Sequence, residues 1–391
     1  MSGIYIHIPF CKQACHYCNF HFSTSLVKKE EMVLALAKEI ELRKNEFFDV
    51  GQSGNSVIET IYFGGGTPSI LEVADIKLLI DKVYQHFEVA QNPEITIEVN
   101  PDDLSSNSSA QGSKNLFEQL KNIGINRLSI GIQSFFEADL KMMNRAHNSE
   151  EAKACLQIAT QYFNNISVDL IYGIPGLTNE NWSQNIETAM SFGIPHISSY
   201  ALTVEPKTVF QKWIQNGKID APKDEVAAAH FSILVKKLEE NGFIHYELSS
   251  FGKENFFSKN NSGYWLGRKY LGIGPSAHSY NGKERSWNVA NNTIYLKSIA
   301  QNKLPFESEL LTITDQYNEY IMTGLRTMWG ISLERIETEF GKSYLDYLEQ
   351  QAEKFIKDKL LFVSENVLKT SAKGKFLCDG IASDLFLINK E

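Results

Sequence analysis

The chain has 391 residues, 43% of them hydrophobic, and a formal charge of −9. That is enough apolar material for a large core and a two-domain body. The acidic balance gives no general attraction to nucleic acid, and no apolar run approaches the ~20 residues of a bilayer-spanning helix. No basic segment followed by an apolar run marks a signal peptide, and five cysteines make no disulfide framework, so a cytoplasmic setting is expected.

Strand-like runs alternate with amphipathic ones along the first half. β-branched segments at Gly3–Ile8, Ile58–Phe63, Glu94–Val99, Arg127–Ile132, Ile166–Ile171 and Ile197–Leu202 predict six strands. Helical periodicity at Glu30–Leu42, Val73–His86, Leu116–Ile123, Ser149–Tyr162 and Asn179–Met190 separates them. Such alternation predicts parallel βαβ units and a partial (β/α)6 barrel. The polar stretch Ser105–Lys114 is expected to be a surface loop. Cys155 and Cys378 lie in apolar surroundings and read as core thiols.

After about Pro305 the pattern becomes helical, at Asp315–Met328, Ser332–Phe340 and Ser343–Lys357. A short hairpin (Leu360–Val363, Val367–Thr370) and a helical Ala372–Asp384 follow. Helices followed by a hairpin predict a small winged-helix-like unit. From Pro305 onward 10 Lys and Arg stand against 15 Asp and Glu, a net of −5, which favours packing or partner docking over DNA. The expected division is 1–205 for the barrel, 206–304 for an extension and 305–391 for the C-terminal unit.

The residues that carry chemistry fall after the strands. Strand one leads into Pro9-Phe10 and then Cys11, Cys15 and Cys18, spaced C-x3-C-x2-C. Three thiolates leave an iron–sulfur cube one ligand short, so one iron stays open; a structural zinc site requires four ligands, which His16 or His21 would have to complete. Strand two leads into Gly64-Gly65-Gly66-Thr67-Pro68 and strand three into Glu98-Val99-Asn100-Pro101. Strand four ends at Gln133-Ser134-Phe135, and strand five carries Asp169 ahead of Gly173-Ile174-Pro175-Gly176. Active sites of α/β barrels lie at this carboxyl end. Leu271-Gly272-Ile273-Gly274-Pro275 lacks a third glycine in register and reads as a close backbone turn rather than a nucleotide loop.

The C-x3-C-x2-C run near the start resembles the radical S-adenosylmethionine (SAM) superfamily. Tyr5–Cys11, Phe63–Ser69, Arg127–Phe135, Ser167–Pro175, Ser198–Pro206 and Tyr270–Ser279 further resemble the oxygen-independent coproporphyrinogen III oxidase family. The resemblance implies a [4Fe–4S] cluster on Cys11, Cys15 and Cys18. It also implies SAM held by Tyr5, Tyr17, Gly65, Gly66, Thr67, Glu98, Gln133, Arg145, Asp169 and Ala201. The oxidase branch carries a further cysteine two positions after the third; here Phe20 stands there, as in the haem-chaperone branch, HemW. That branch implies haem binding and delivery to an acceptor protein, with a reductant such as flavodoxin or ferredoxin. The alternative is oxidative decarboxylation of porphyrinogen propionates to vinyl groups. The chaperone branch's haem-associated motif His-Asn-x-x-Tyr-Trp matches Asn260-Asn261-Ser262-Gly263-Tyr264-Trp265, with asparagine in place of histidine. A carboxamide ligates haem iron poorly, which directs attention to His245 or His278, or to Tyr264 and Trp265 as the porphyrin platform.

Overall fold

The computed structural model describes residues 2–46, 57–105 and 110–388. Six parallel strands, β1 (Ser2–Ile8), β2 (Ile58–Gly65), β3 (Val89–Val99), β4 (Arg127–Gln133), β5 (Ile166–Tyr172) and β6 (His196–Ala201), lie side by side in chain order. Right-handed crossovers taken always in one direction put the connecting helices on one face of the sheet. The strand pattern fits that arrangement. Ile4, Ile6, Ile61, Phe63, Ile97, Leu128, Ile130, Val168 and Leu170 are buried in the core toward the helices. The alternate positions Tyr5, His7, Tyr62, Glu98, Ser129, Asp169 and Ser198 are polar and face the other way. A two-residue period therefore makes an oily exterior and a polar interior from the same strands.

The six strands form a partial barrel that does not close on itself. The outer neighbour of β1 is β9 (Lys269–Ile273), running parallel to it, and that of β6 is β8 (Ser250–Gly252), running antiparallel. Beyond β8 comes β7 (Ile244–Glu247), and beyond β9 come β10 (His278–Tyr280), β11 (Glu284–Asn288) and β12 (Phe306–Leu310). Helix Lys259–Trp265 lies across the amino ends of β2 and β3: Thr60 Oγ1 donates to Asn260 Oδ1 at 2.9 Å, and the N–H groups of Lys259 and Asn260 donate to Glu94.

A second core gathers Tyr317, Ile321, Leu325, Ile336, Leu348, Leu368 and Ile381. Its helices, Ile313–Leu325, Lys342–Lys357 and Cys378–Asp384, pack on a three-stranded sheet of β13 (Ile331–Ser332), β15 (Val367–Thr370) and β14 (Leu361–Ser364). Glu365 and Asn366 both take positive φ, at 53° and 61°, the backbone that a two-residue hairpin turn demands.

Two expectations need correction. β3 begins at Val89 rather than Glu94, because Ile58 pairs with Val89 across a register shift ahead of the β-branched run. The expected Ser105–Lys114 loop is shorter, since a helix runs over Ala110–Asn122 and Ser105 ends the helix Pro101–Ser105; residues 106–109 lie outside the described residues. Its Ser, Asn and Gly content signalled a loop, and the helix reaches back into it from the amphipathic segment behind. Cys155 and Cys378 are buried, 3% and 1% exposed. No described helix is long and apolar enough to cross a membrane.

Candidate functional site

The cysteine loop hangs from the carboxyl end of β1 and is closed at its base. Cys11 N–H donates to Ser23 O, and Ser23 N–H to Pro9 O. Its middle rests on a turn more than a hundred residues away: His16 N–H donates to Met143 O, His16 Nδ1 bonds Met142 O at 2.9 Å, Asn144 Nδ2 donates to Ala14 O at 2.8 Å, and Gln13 Nε2 to Asn144 O. The His16 ring packs edge-on against Trp213 at 4.5 Å. His21 Nε2 bonds Asn292 Oδ1 at 2.7 Å. Each of these histidines thus has one ring nitrogen bonded to a distant part of the chain.

The three thiols are half-buried. Among the described residues no group of three or more His, Cys, Asp or Glu side chains converges on a single ion. A zinc ion would draw its sulfurs to about 2.3 Å from one point. A cube gives each thiolate its own iron, and three half-buried thiols on one loop suit a cluster with one iron left open. Burial pushes the Cys11 thiol up to about 11, despite the Thr67 hydroxyl that approaches its Sγ at 3.6 Å; burial raises Cys18 as well.

The glycine turn after β2 is pressed against this loop. Gly66 N–H donates to Ile8 O at 2.9 Å and Thr67 N–H to Phe10 O at 2.7 Å. A Cβ on Gly66 would stand 2.4 Å from Phe10 O, and one on Gly65, whose φ is +111°, would strike the His7 ring. These glycines are required first by the chain's own backbone, whatever ligand the turn also meets.

Arg145 joins the two halves of the site. Its Nη1 approaches Cys15 Sγ at 3.5 Å and Tyr17 OH at 3.4 Å, while Nη2 donates to Asn100 Oδ1 at 2.6 Å and Gly131 O at 2.9 Å. Asn100 Nδ2 in turn donates to Thr67 Oγ1. Burial opposes the guanidinium charge, but Tyr17, Cys15 and Asp102 hold its pKa above the ordinary value. Gln133, at the end of β4, has φ of 67° beside a register shift with β5, a backbone that non-glycine residues adopt at a cost. Asn144, next to Arg145, has φ of 56°.

Below this rim the inner face carries two carboxylates. Glu98 accepts from Tyr62 OH at 2.9 Å and from Gly65 N–H at 3.3 Å. Burial, with Asp169 adding repulsion, raises it to about 7. Asp169 accepts from Ser129 Oγ at 3.4 Å and burial raises it to about 6. Tyr5 stacks on Tyr62 at 6.0 Å, and its OH meets His7 Nδ1 at 3.3 Å; burial lowers His7 to about 4. Ala201 ends β6, paired with Tyr172. Arg127 begins β4 and is 1% exposed. The residues singled out on β1 to β6 and their loops thus face one open end and interior of the barrel. Asn100, Asn144 and Tyr62 are not singled out from the sequence as individual groups; of these, Asn100 carries a signal, its place at a strand end.

The haem-associated stretch lies elsewhere. Asn260 is 5% exposed, at the amino end of the strands, and Tyr264 packs edge-on to Tyr270 at 4.6 Å. Asn261 N–H donates to the Ser258 cap, and Trp265 lies under the Arg326 guanidinium at 5.1 Å. His245 is 6% exposed, stacked on Phe251 at 4.1 Å with both ring nitrogens bonded. His278 is exposed, with Trp287 at 6.1 Å. The glycines of Leu271–Pro275 are demanded by close approach: a Cβ on Gly272 would lie 2.1 Å from His278 O, and one on Gly274 2.6 Å from His7 O.

Comparison with known proteins follows this geometry. Residues 5–189 match the Radical SAM superfamily and residues 311–377 the HemN C-terminal domain. The Heme chaperone HemW of Bacillus subtilis is 34% identical over 382 residues, covering 96% of this chain and 97% of that protein. The chain belongs to the HemW family. The Heme chaperone HemW of Mycobacterium tuberculosis is 30% identical over 389 residues, 98% of this chain and 94% of that one. Among solved structures, coproporphyrinogen III oxidase (HemN) from Escherichia coli, a Radical SAM enzyme, superposes with a TM-score of 0.81. It covers 98% of this chain and 90% of its own at 23% identity, which establishes a shared fold. HemW-family membership and Phe20 at the position of the oxidase's further cysteine agree with one another.

Proposed function

We propose that this chain is a haem chaperone that carries a [4Fe–4S] cluster and SAM, and hands haem to an acceptor protein. The observation that carries the reading is near-full-length similarity to proteins named Heme chaperone HemW, together with three thiols that suit a cube with one open iron. Cys11, Cys15 and Cys18 would hold the cluster. Tyr5, Tyr17, Gly65, Gly66, Thr67, Glu98, Gln133, Arg145, Asp169 and Ala201 would line the SAM site. Bound, the cluster supplies electrons to the sulfonium ligand.

The chain's own residues have distinct tasks. Arg145, fixed by Asn100 and Gly131, presents a planar cation suited to a carboxylate. Glu98 and Asp169 offer acceptors to an ammonium or to ribose hydroxyls. The turn at Gly65–Thr67 offers short backbone beside the loop, and Tyr62 and Tyr5 wall the interior. Of the histidines the sequence pointed to, His278 alone presents an exposed ring, and partial desolvation shifts its pKa below the ordinary value. It is the proposed haem ligand. A flavodoxin- or ferredoxin-type reductant would serve the cluster.

The test is anaerobic reconstitution, then haem titration beside an assay with coproporphyrinogen III, SAM and reductant. Stoichiometric haem binding without vinyl product is expected, as is loss of the ligand's spectral signature in His278→Ala. Vinyl product would instead assign the oxidase activity. An unchanged haem spectrum in His278→Ala would move the ligand elsewhere.

A further inference from the structure

The barrel meets the C-terminal helical unit along the outer edge of β7. Glu247 and Thr327 form an isolated antiparallel bridge, and Met328 N–H donates to Tyr246 O at 2.9 Å. Beside this seam lies a cavity of about 200 Å³. Leu325, Met328 and Phe362 give it apolar wall, whereas Arg326, Lys369 and Lys375 give it three cationic side chains.

These charges are only partly answered within the protein. Lys375 Nζ bonds His245 Nδ1 at 2.7 Å rather than a carboxylate, and His245 Nε2 donates to Leu248 O at 3.1 Å. That arrangement fixes His245 as neutral, in keeping with burial driving its pKa down to about 3, so the imidazole supplies no counter-charge. Arg326 Nη1 pairs with Asp379, but its Nε is buried and has no hydrogen-bond partner. The one carboxylate in the lining, Glu247, is 4% exposed and accepts from Ser249 N–H at 3.0 Å. With Asp379 already on Arg326 and Glu239 acting on Lys375 from outside the lining, what the cavity leaves open is the buried Arg326 Nε beside the Lys369 and Lys375 ammonium groups, a cluster that a desolvated anion would answer.

We propose that this seam cavity binds a small oxyanion, a phosphate or carboxylate group, between Arg326, Lys369 and Lys375. The planar guanidinium would bond one edge of the anion and the two ammonium groups would neutralise it. The apolar wall leaves room for a short hydrocarbon portion. All three cationic residues come from the C-terminal unit, and Glu247 and Leu248 of the barrel side only wall the cavity.

The test uses the full chain with its cluster reconstituted anaerobically. Thermal unfolding is followed with inorganic phosphate against chloride at matched ionic strength, and again with acetate. Binding is expected to raise the midpoint by about 2 °C at ten times the dissociation constant. Lys375→Gln and Arg326→Gln are each expected to weaken the anion about tenfold, while Lys342→Gln, a surface lysine paired with Asp346, leaves the shift intact. The tighter of phosphate and acetate identifies the headgroup. No difference of either anion from chloride, or an equal shift in Lys375→Gln, overturns the proposal. Lys375→Gln serves alone if Arg326→Gln does not fold.

Discussion

The two ends of the barrel are built by opposite rules. At the amino end, Asn260 and Glu94 close a polar network in which the Thr60 hydroxyl and the first N–H groups of helix Lys259–Trp265 all find acceptors. At the carboxyl end, thiols stay half-buried, Gln133 and Asn144 hold left-handed backbone, and Glu98 and Asp169 are pushed toward neutrality. One end spends its polar groups on itself, and the other keeps them for something that arrives. Asn260, the first residue of the haem-associated stretch, belongs to the first kind: its side chain accepts from Thr60.

The contrast can be broken most severely at the cluster. Cys15→Ala removes one of three thiols, and loss of essentially all iron and acid-labile sulfide after anaerobic reconstitution is expected. Glu98 gives the next largest effect. Its folded pKa, about 7, lies above the 4.5 of an ordinary Glu, so its contribution is fully present below about pH 4.5 and is lost as pH rises through 7. Stability of the chain without SAM should fall by at most about 3 kcal/mol over that window, and Glu98→Gln should flatten the slope in pH-dependent denaturant unfolding. Gly66→Ala forces a methyl group against the Phe10 carbonyl. A cost of about 2 kcal/mol with lower iron retention is expected, both measurable on one preparation. Asn260→Ala strips the Thr60 hydroxyl of its acceptor and should cost about 1 kcal/mol while haem affinity, read by absorbance titration, stays within twofold. A tenfold loss of haem there would return the motif to a binding role. Phe20 is 69% exposed, so Phe20→Ala should change the unfolding free energy by less than about 0.5 kcal/mol.

Much of the barrel was legible because strand residues sort by parity. Glu98 and Asp169 occupy inward positions on β3 and β5, and the apolar partners between them mark the outward face. Three close cysteines were legible for a different reason, that few other chemistries need them. What the sequence concealed was long-range: nothing ties Asn144 to Ala14, or Arg145 to Cys15, until the fold places residues 130 apart in contact. Nor could composition reveal that Gly66 is reserved for Phe10 O, or that Asn260 sits at the far end from the thiols. The Ser/Asn/Gly stretch misled because a helix can begin in poor helix formers when its buried face lies further on.

β1 precedes the other described strands, yet its outer neighbour is β9, more than two hundred residues further along the chain. During synthesis β1 therefore waits with one edge unpaired until Lys269–Ile273 has emerged. The turn at Met142–Asn144 and the Phe210 N–H that anchors His16 O also appear late. The thiol loop at the end of β1 is thus tethered long before it is shaped. Metal loading on this chain should follow the emergence of β9, and nascent chains truncated before it should take up iron poorly however many of the cysteines they carry.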